Sequence, residues 1–165
     1  MSGEAGGTRR RLPAYSPRQE RIASVVIRVM SVLNVWLYRA SGGRIGGRFL
    51  RGAPICLLTT RGRRTGEPRV APLLYLAEGE NVVIVASKGG MSKHPLWYLN
   101  LLADPDCEVE IGSTRRAMRA RTASAEEKAA LWPRLVAMYP DYDDYQARTD
   151  RDIPVVVLEP RRAQP

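Results

Sequence analysis

The chain has 165 residues, of which 44% are hydrophobic and 26% are charged, a balance typical of one globular domain. Its two cysteines, Cys56 and Cys107, form no CxxC motif, and its single histidine, His94, has no metal-ligand pattern around it. These counts argue against a disulfide framework and against a bound metal. The first 17 residues are polar and arginine-rich rather than signal-like, so a reducing, cytoplasmic compartment is predicted.

The net charge of +9 lies almost entirely in the first third of the chain. Residues 1–52 hold ten arginines against two glutamates, a net of +8, whereas residues 53–165 hold sixteen basic and fifteen acidic residues, a net of +1. An arginine-rich N-terminus leaves open a basic module that binds nucleic acid. The nearly neutral main part, which carries no nucleic-acid fold signature, argues against that class.

The N-terminal third divides into a tail and a helix. Residues 1–16 are rich in Gly, Arg and Pro and are predicted to be a disordered basic tail. Ser16-Pro17 is a helix start, and residues 17–52 are predicted to be an amphipathic helix followed by the glycine-rich linker at 41–47. The apolar residues that fall at helical spacing are Ile22, Val25, Val26, Val29, Leu33, Trp36 and Leu37.

This apolar stripe has two interpretations. The favoured one packs the stripe against the main domain. The other lays residues 18–39 on an anionic membrane surface, as a peripheral contact, because arginines flank the stripe and Trp36 suits the headgroup region. Arg28 and Asn34 interrupt the run, and on that ground a membrane span is not predicted.

Residues 53–165 are predicted to be one α+β domain built on a mainly antiparallel barrel of five or six strands. The strands are expected at 54–60, 69–77, 82–86, 108–111, 115–122 and 153–158. A helix is expected to begin near Ser92 or Pro95 and to end at Asp104. A second helix is expected from 125 to 138, because Ser124 and Glu127 have the spacing of a capping box.

Two glycine-containing turns bring cations beside a helix N-terminus. The turn RGRRTG at 61–66 and the turn SKGG at 87–90 are each weak signals alone. Together they give a cationic rim of Arg63, Arg64, Arg69 and Lys88. Guanidinium and ammonium groups next to free backbone N–H groups suit the oxygens of a phosphate or a carboxylate, so a polyanionic ligand is predicted here.

Three tyrosines, Tyr139, Tyr142 and Tyr145, are spaced by three and fall on one helical face. Packing in the core is one interpretation. The aspartates between them, at 141, 143 and 144, favour a largely exposed segment instead. The tyrosines are therefore predicted to form a lid over a bound substrate.

Several stretches together resemble the deazaflavin-dependent nitroreductase and quinone reductase family of actinobacteria. They are LLTTRGRRTGEPRVAPL at 57–73, VASKGGMSKHPLWYLNLLADP at 85–105, and MYPDYDDYQARTDRDIPVVVLEP at 138–160, along with the N-terminal helix. The resemblance implies a split β-barrel that binds coenzyme F420, whose phosphodiester and oligoglutamate tail form a polyanion. It also implies hydride transfer from the reduced coenzyme to a menaquinone-like quinone or a nitroaromatic acceptor.

The resemblance further assigns roles to individual residues. For the cofactor they are Arg63, Arg64, Thr65, Arg69, Val70, Ala71, Pro72, Leu73, Leu74, Val85, Ala86, Ser87, Lys88, Leu96, Trp97, Tyr98, Leu99, Asn100 and Tyr142. For the acceptor side and catalysis they are Ser87, Tyr139, Tyr142 and Tyr145. Two departures from the best-known relative, Leu74 in place of a tyrosine and Arg148 in place of an aromatic residue, weaken the expectation of nitroimidazole reduction.

The expected mechanism asks little of the side chains. The reduced deazaflavin supplies the hydride, and Ser87 or a tyrosine hydroxyl hydrogen-bonds the acceptor oxygen as charge develops there. Two alternatives are kept open: a barrel of the same kind that binds flavin mononucleotide, and a basic nucleic-acid-binding module that is not an enzyme.

Overall fold

A computed structural model describes residues 11–49 and 52–161. Four α-helices and six strands follow one another, with one 3₁₀ turn at Lys88–Gly90 between β3 and α2. In chain order they are α1 (Pro17–Ser41), β1 (Ile55–Arg61), β2 (Pro68–Glu78), β3 (Asn81–Val85), α2 (Leu96–Ala103), β4 (Asp106–Ile111), β5 (Thr114–Thr122), α3 (Ala125–Met138), α4 (Asp141–Arg148) and β6 (Val155–Pro160).

The six strands form a closed barrel in the order β1-β2-β3-β6-β5-β4, and every neighbouring pair is antiparallel. This confirms the predicted barrel. The inward faces of the strands meet in one core, which includes Cys56, Leu58, Ile84 and Met118. Helix α2 closes this core, because Trp97, Tyr98 and Leu101 pack into it. Burial of this apolar surface is the main stabilising contribution to the barrel.

The outer faces of the barrel carry two further clusters. Helices α3 and α4 cover β3 and β6, where Leu135 and Tyr142 pack on Val83, Val85 and Val157. The C-terminal end of α1 covers β1 and β2, where Tyr38 packs on Ile55 and Leu57. Helix α3 has the predicted bounds, and Ser124 and Glu127 form the predicted capping box.

Helix α1 is attached at its two ends. Near its C-terminus, the buried Tyr38 hydroxyl accepts a hydrogen bond from the Gly112 N–H at 2.7 Å, and Arg39 pairs with the buried Glu110 at 3.2 Å. Near its N-terminus, the Glu20 carboxylate accepts hydrogen bonds from the N–H and the hydroxyl of Ser92 at 2.7 and 2.9 Å. These bonds lower the pKa of Glu20.

Between these attachments the apolar stripe of α1 is exposed. Val25, Val29 and Trp36 expose 62%, 63% and 66% of their surface, and Tyr38 is the one buried residue of this helix. The favoured prediction, that the stripe packs against the domain, is therefore wrong for most of its length. The physical reason is geometric: a 25-residue helix is about 37 Å long, and only its C-terminal turns reach the barrel.

By length and composition alone, α1 is also apolar enough to cross a membrane, and it is the one such helix in residues 11–49 and 52–161. Arg28 and Asn34 therefore do not exclude a span on those two criteria. A helix of this kind near an N-terminus also fits other roles, such as a surface contact.

The predicted tail is described from residue 11 onward, and residues 1–10 lie outside the described part. Leu12 donates its N–H to the Ala147 carbonyl at 3.0 Å, and Arg148 bonds the Pro13 carbonyl at 3.1 Å. The Arg148 guanidinium also lies 4.6 Å from the centre of the Tyr15 ring. Residues 11–16 are thus held against α4 and do not form the free tail that was predicted.

Candidate cofactor and acceptor site

A basic cleft of about 490 Å³ lies between the segment that follows β3 and the start of α2. Its lining residues are Arg63, Lys88, Ser92, Lys93, His94, Leu96, Leu99 and Arg151. No carboxylate lines this cleft within residues 11–49 and 52–161, although Glu20 bonds Ser92 at its edge. Four cations and one imidazole around a single cavity are suited to a polyanion.

The β1–β2 turn contributes one of its arginines to the basic cleft. The buried Asn100 side chain accepts a hydrogen bond from the Arg63 N–H at 3.2 Å and donates one to the Thr60 hydroxyl at 3.1 Å. Asn100 thus fixes the turn on α2. Arg64 is exposed and lies outside the lining of the cleft, and Arg69 is held by Glu67 at 3.1 Å and by Thr65 at 3.3 Å.

The predicted cofactor residues of β2 divide between two faces of the strand. Ala71 and Leu73 pack against the core inside the barrel, whereas Val70 and Leu74 pack against the outer clusters. Tyr75 packs with the inner core, on the strand face opposite to Leu74. Alternation along a strand is the reason, since successive side chains point to opposite faces. Only the outer set, with Pro72 between its members, can present side chains outside the barrel.

Helix α2 shows a similar division. Leu96 and Leu99 line the basic cleft, whereas Trp97 and Tyr98 are buried in the barrel core, where the Tyr98 hydroxyl lies 3.0 Å from that of Thr122. The five-residue block predicted at 96–100 therefore offers the cleft two leucines. Apart from Asn100, apolar or aromatic residues surround the helix, so the sequence does not show which leucines face the cleft.

The segment after β3 separates the basic cleft from a second, apolar cleft of about 410 Å³. Lys88 and Ser92 line the basic side, and Gly89 and Met91 line the apolar side. The apolar cleft is completed by Tyr145 and by the tail and first half of α1, through Tyr15, Gln19, Ile22, Ala23, Val26 and Ile27. Of the predicted residues in this segment, Val85 and Ala86 are buried, and Ser87 and Lys88 are half-buried.

The three tyrosines form one cluster but not an exposed lid. Their ring centres lie 5.2 to 6.3 Å apart, and the hydroxyls of Tyr139 and Tyr145 are 3.1 Å apart. Tyr139 and Tyr142 are 5% and 3% exposed, so the predicted exposure is wrong for both. Among the neighbouring aspartates, Asp143 accepts a hydrogen bond from Trp132 at 2.7 Å. Tyr145 is the member that lines the apolar cleft.

Sequence reasoning missed two residues of the site. Arg151 lines the basic cleft and lies 3.3 Å from the Nδ1 atom of His94. Burial, and then the Arg151 charge, lower the pKa of His94 below its ordinary value of 6.5, so the imidazole is neutral at pH 7. Arg151 stands four residues before β6, which begins at Val155 and not at the predicted residue 153, and no local pattern marks it.

The fold and the two clefts define a split-barrel protein with a basic cleft beside an apolar one. The sequence pattern of the F420H(2)-dependent quinone reductase family matches residues 29–160. The chain belongs to this family, and it is therefore an oxidoreductase whose hydride donor is reduced coenzyme F420.

Individual relatives agree with this assignment. A Mycobacterium tuberculosis protein provisionally named as an F420H(2)-dependent quinone reductase is 48% identical over 118 residues, which cover 72% of this chain and 99% of that protein. A second protein of that organism, named as an F420H(2)-dependent quinone reductase, is 41% identical over 128 residues, covering 76% and 86%.

Solved structures agree as well. The structure of an F420H2-dependent reductase of the FDR-A group has a TM-score of 0.60 at 42% identity, covering 64% of this chain and 94% of that one. A structure described as a domain-swapped dimer has a TM-score of 0.63 at 35% identity, covering 82% and 98%. The split-barrel fold predicted from the sequence is confirmed.

Proposed function

We propose that this protein transfers a hydride from reduced coenzyme F420 to a quinone with an apolar tail. The observation that carries the proposal is the segment 88–92, which forms a common wall between the basic cleft and the apolar cleft. Such a wall brings a polyanionic cofactor and an apolar acceptor to neighbouring positions. Positioning of two reactants is what a hydride transfer chiefly needs from a protein.

On the cofactor side, the cations of the basic cleft fit the phosphodiester and the carboxylates of the coenzyme tail. Arg63 and Lys88 are the members that the sequence also predicted, and Lys93 adds a third charge. Arg64, Thr65 and Arg69 form an exposed continuation of the cleft along the β1–β2 turn, where a long tail would extend. When bound, the reduced coenzyme supplies a hydride; these residues hold its charged end.

On the acceptor side, the tyrosine cluster reaches the apolar cleft through Tyr145. Burial raises the pKa of all three phenols, so each stays protonated at neutral pH and can donate a hydrogen bond. Tyr145 borders the cleft, and its partner Tyr139 lies behind it. Tyr145 is therefore the phenol that we place on a quinone oxygen, where negative charge develops during reduction.

Replacement of the Tyr145 hydroxyl tests this function. Tyr145→Phe is expected to lower kcat for a water-soluble menaquinone analogue by about 10- to 100-fold, as loss of one hydrogen bond to developing charge does. Tyr139→Phe is the matched control, since it removes the other partner of the same 3.1 Å contact but does not line the cleft. We expect a change below about threefold there. Equal losses in the two variants would contradict the assignment, and no quinone turnover by the natural chain would contradict the function.

We further propose that α1 brings the site to an anionic membrane surface, where tailed quinones reside. The exposed stripe of α1 continues from the residues that line the apolar cleft, such as Ile22 and Val26, toward Trp36. Arginines flank it, and each cation near an anionic surface adds about 1 kcal/mol of attraction. A quinone tail would then pass from the membrane along α1 into the cleft.

Two substitutions of equal charge change test the membrane contact. Deleting residues 1–40 is unsuitable because it removes the buried Tyr38. Val29→Glu places one negative charge on the stripe, and Arg28→Gln removes one positive charge from its flank. Burial of the stripe predicts that Val29→Glu lowers the partition coefficient on phosphatidylglycerol vesicles by at least about tenfold, and Arg28→Gln by about fivefold or less. Unchanged vesicle binding in Val29→Glu, or none in the natural chain, would exclude this contact.

A further inference from the structure

The backbone between β3 and α2 adopts a conformation that ordinary residues avoid. Lys88 has a φ of 46°, the one positive value of a non-glycine residue in the described chain, and Gly89 and Gly90 follow with 62° and 77°. A left-handed conformation brings the Cβ atom of a lysine too close to the backbone carbonyl that follows it. Such a conformation persists only where the surrounding structure holds it, and it is often found at functional sites.

The side chain of Arg151 fixes this segment through hydrogen bonds. Its guanidinium donates hydrogen bonds to three carbonyl oxygens, those of Ala86 at 3.0 Å, Ser87 at 2.6 Å and Met91 at 2.9 Å. These carbonyls lie before and after Lys88, so one rigid group spans the strained turn. A fourth contact, to the Nδ1 atom of His94, ties the same group to the start of α2.

The backbone around Arg151 is itself fixed to α3 and α4. The Gln146 side chain donates to the Arg151 carbonyl at 2.9 Å and accepts from the Ile153 N–H at 2.9 Å. Lys128 bonds the Ile153 carbonyl at 2.7 Å. The backbone that carries Arg151 is therefore fixed. Its guanidinium can then determine where the turn lies.

The held turn also packs closely on α4. A Cβ atom added at Gly90 would lie 2.7 Å from the Tyr145 carbonyl oxygen, so only glycine fits there. Lys88 lines the basic cleft, and Gly89 and Gly90, which follow it, lead to the close contact with Tyr145 at the apolar cleft. A shift of this turn would therefore change the position of Lys88 relative to Tyr145.

We propose that Arg151 is a positioning residue that holds Lys88 where it acts on the cofactor, a statement that depends on the cofactor role proposed above for Lys88. This role requires a guanidinium, a planar group with several N–H donors in fixed directions. A lysine keeps the charge, but its single ammonium cannot reach three carbonyls that lie along a turn. Arg151→Lys is therefore expected to behave like Arg151→Met and not like the natural protein.

The experiment compares Arg151→Lys, Arg151→Met and Arg121→Lys. Arg121 is a matched control, because its guanidinium also makes three hydrogen bonds, to Glu127 and Glu159, away from the turn. Hydrogen–deuterium exchange of the cofactor-free protein is expected to rise at least about tenfold in peptides covering 86–92 in both Arg151 variants, with the barrel strands unchanged. No such rise is expected in Arg121→Lys.

Binding of coenzyme F420 at two salt concentrations gives the second readout. Both Arg151 variants are expected to bind about tenfold or more weakly, while Arg151→Lys keeps the salt dependence of the natural protein because no cation has been lost. Natural affinity and natural exchange in Arg151→Lys would overturn the proposal and leave Arg151 as a charge alone. If the natural protein bound no F420, the proposed function would fail, whereas the exchange result would still decide whether Arg151 holds the turn.

Discussion

Tyr142→Ala is expected to lower the free energy of unfolding by about 3–5 kcal/mol, the cost of removing a large aromatic side chain from a core. Tyr142 is 3% exposed and packs with Leu135, Val85 and Trp132 between the barrel and α3. Its removal leaves a cavity where these side chains meet. Urea unfolding followed by circular dichroism measures the change.

The control is Tyr142→Phe, which keeps the ring and removes only the hydroxyl. A loss below about 1.5 kcal/mol is expected for it, the size of one hydrogen bond. A Tyr142→Ala protein with natural stability but reduced quinone turnover would contradict the structure. That result would restore the exposed lid that the aspartates of the sequence predicted.

Lys88→Ala is expected to weaken F420 binding by about 1–3 kcal/mol, or roughly 5- to 150-fold in Kd, because a hydrogen bond to a charged group is lost. The residue lies in the wall that both clefts share and lines the basic one. Alanine is no easier to place than lysine at a φ of 46°, so the backbone cost is the same before and after the change. Fluorescence titration of the coenzyme measures the effect.

Two arginines of one turn make this test more specific. Arg63 lines the basic cleft, whereas Arg64 lies in the exposed continuation, so Arg63→Ala and Arg64→Ala compare the deep and the outer part of the proposed site. The resemblance predicts a loss of about 1–3 kcal/mol for Arg64→Ala as well. Arg116→Ala, on strand β5, removes one cation that lies outside both clefts and should leave Kd unchanged. A loss in Arg116→Ala equal to that in Lys88→Ala would mean that net charge alone controls binding.

The fold could be predicted because local patterns and long-range packing agree. Alternating and apolar runs separated by glycine turns predicted the six strands, and the Ser124–Glu127 capping box predicted the start of α3. The cationic nature of the site could also be predicted, since the arginine and lysine turns stand beside a helix start in the sequence itself. Arg63 and Lys88 do meet at one cleft.

The other site residues could not be predicted, because the sequence does not show which face of a helix points toward the clefts. Apart from Asn100, helix α2 has apolar or aromatic residues on every side, so Leu99 at the cleft and Leu101 in the core look equivalent before folding. Around α4, tyrosines and aspartates alternate over less than two turns, and the acidic residues suggested exposure for a face that is buried. Arg151 acts on carbonyl groups more than sixty residues earlier, and backbone acceptors leave no trace in a sequence.

The stripe of α1 was misjudged for a related reason. Its apolar residues predicted a buried face, but a sequence does not say whether the covering surface lies within the chain. Helices α3 and α4 already cover β3 and β6, and only the end of α1 around Tyr38 packs on the barrel. The remaining exposed stripe is consistent with the membrane contact proposed above.

Titration of the purified chain with F420 and with flavin mononucleotide, at low and at high salt, tests the central claim most directly. The basic cleft predicts that F420 binds at least about a hundredfold more tightly, because only its tail adds carboxylates to the phosphate, and that this preference shrinks as salt screens the charges. Equal or tighter binding of flavin mononucleotide, or an F420 affinity that does not change with salt, would contradict the account.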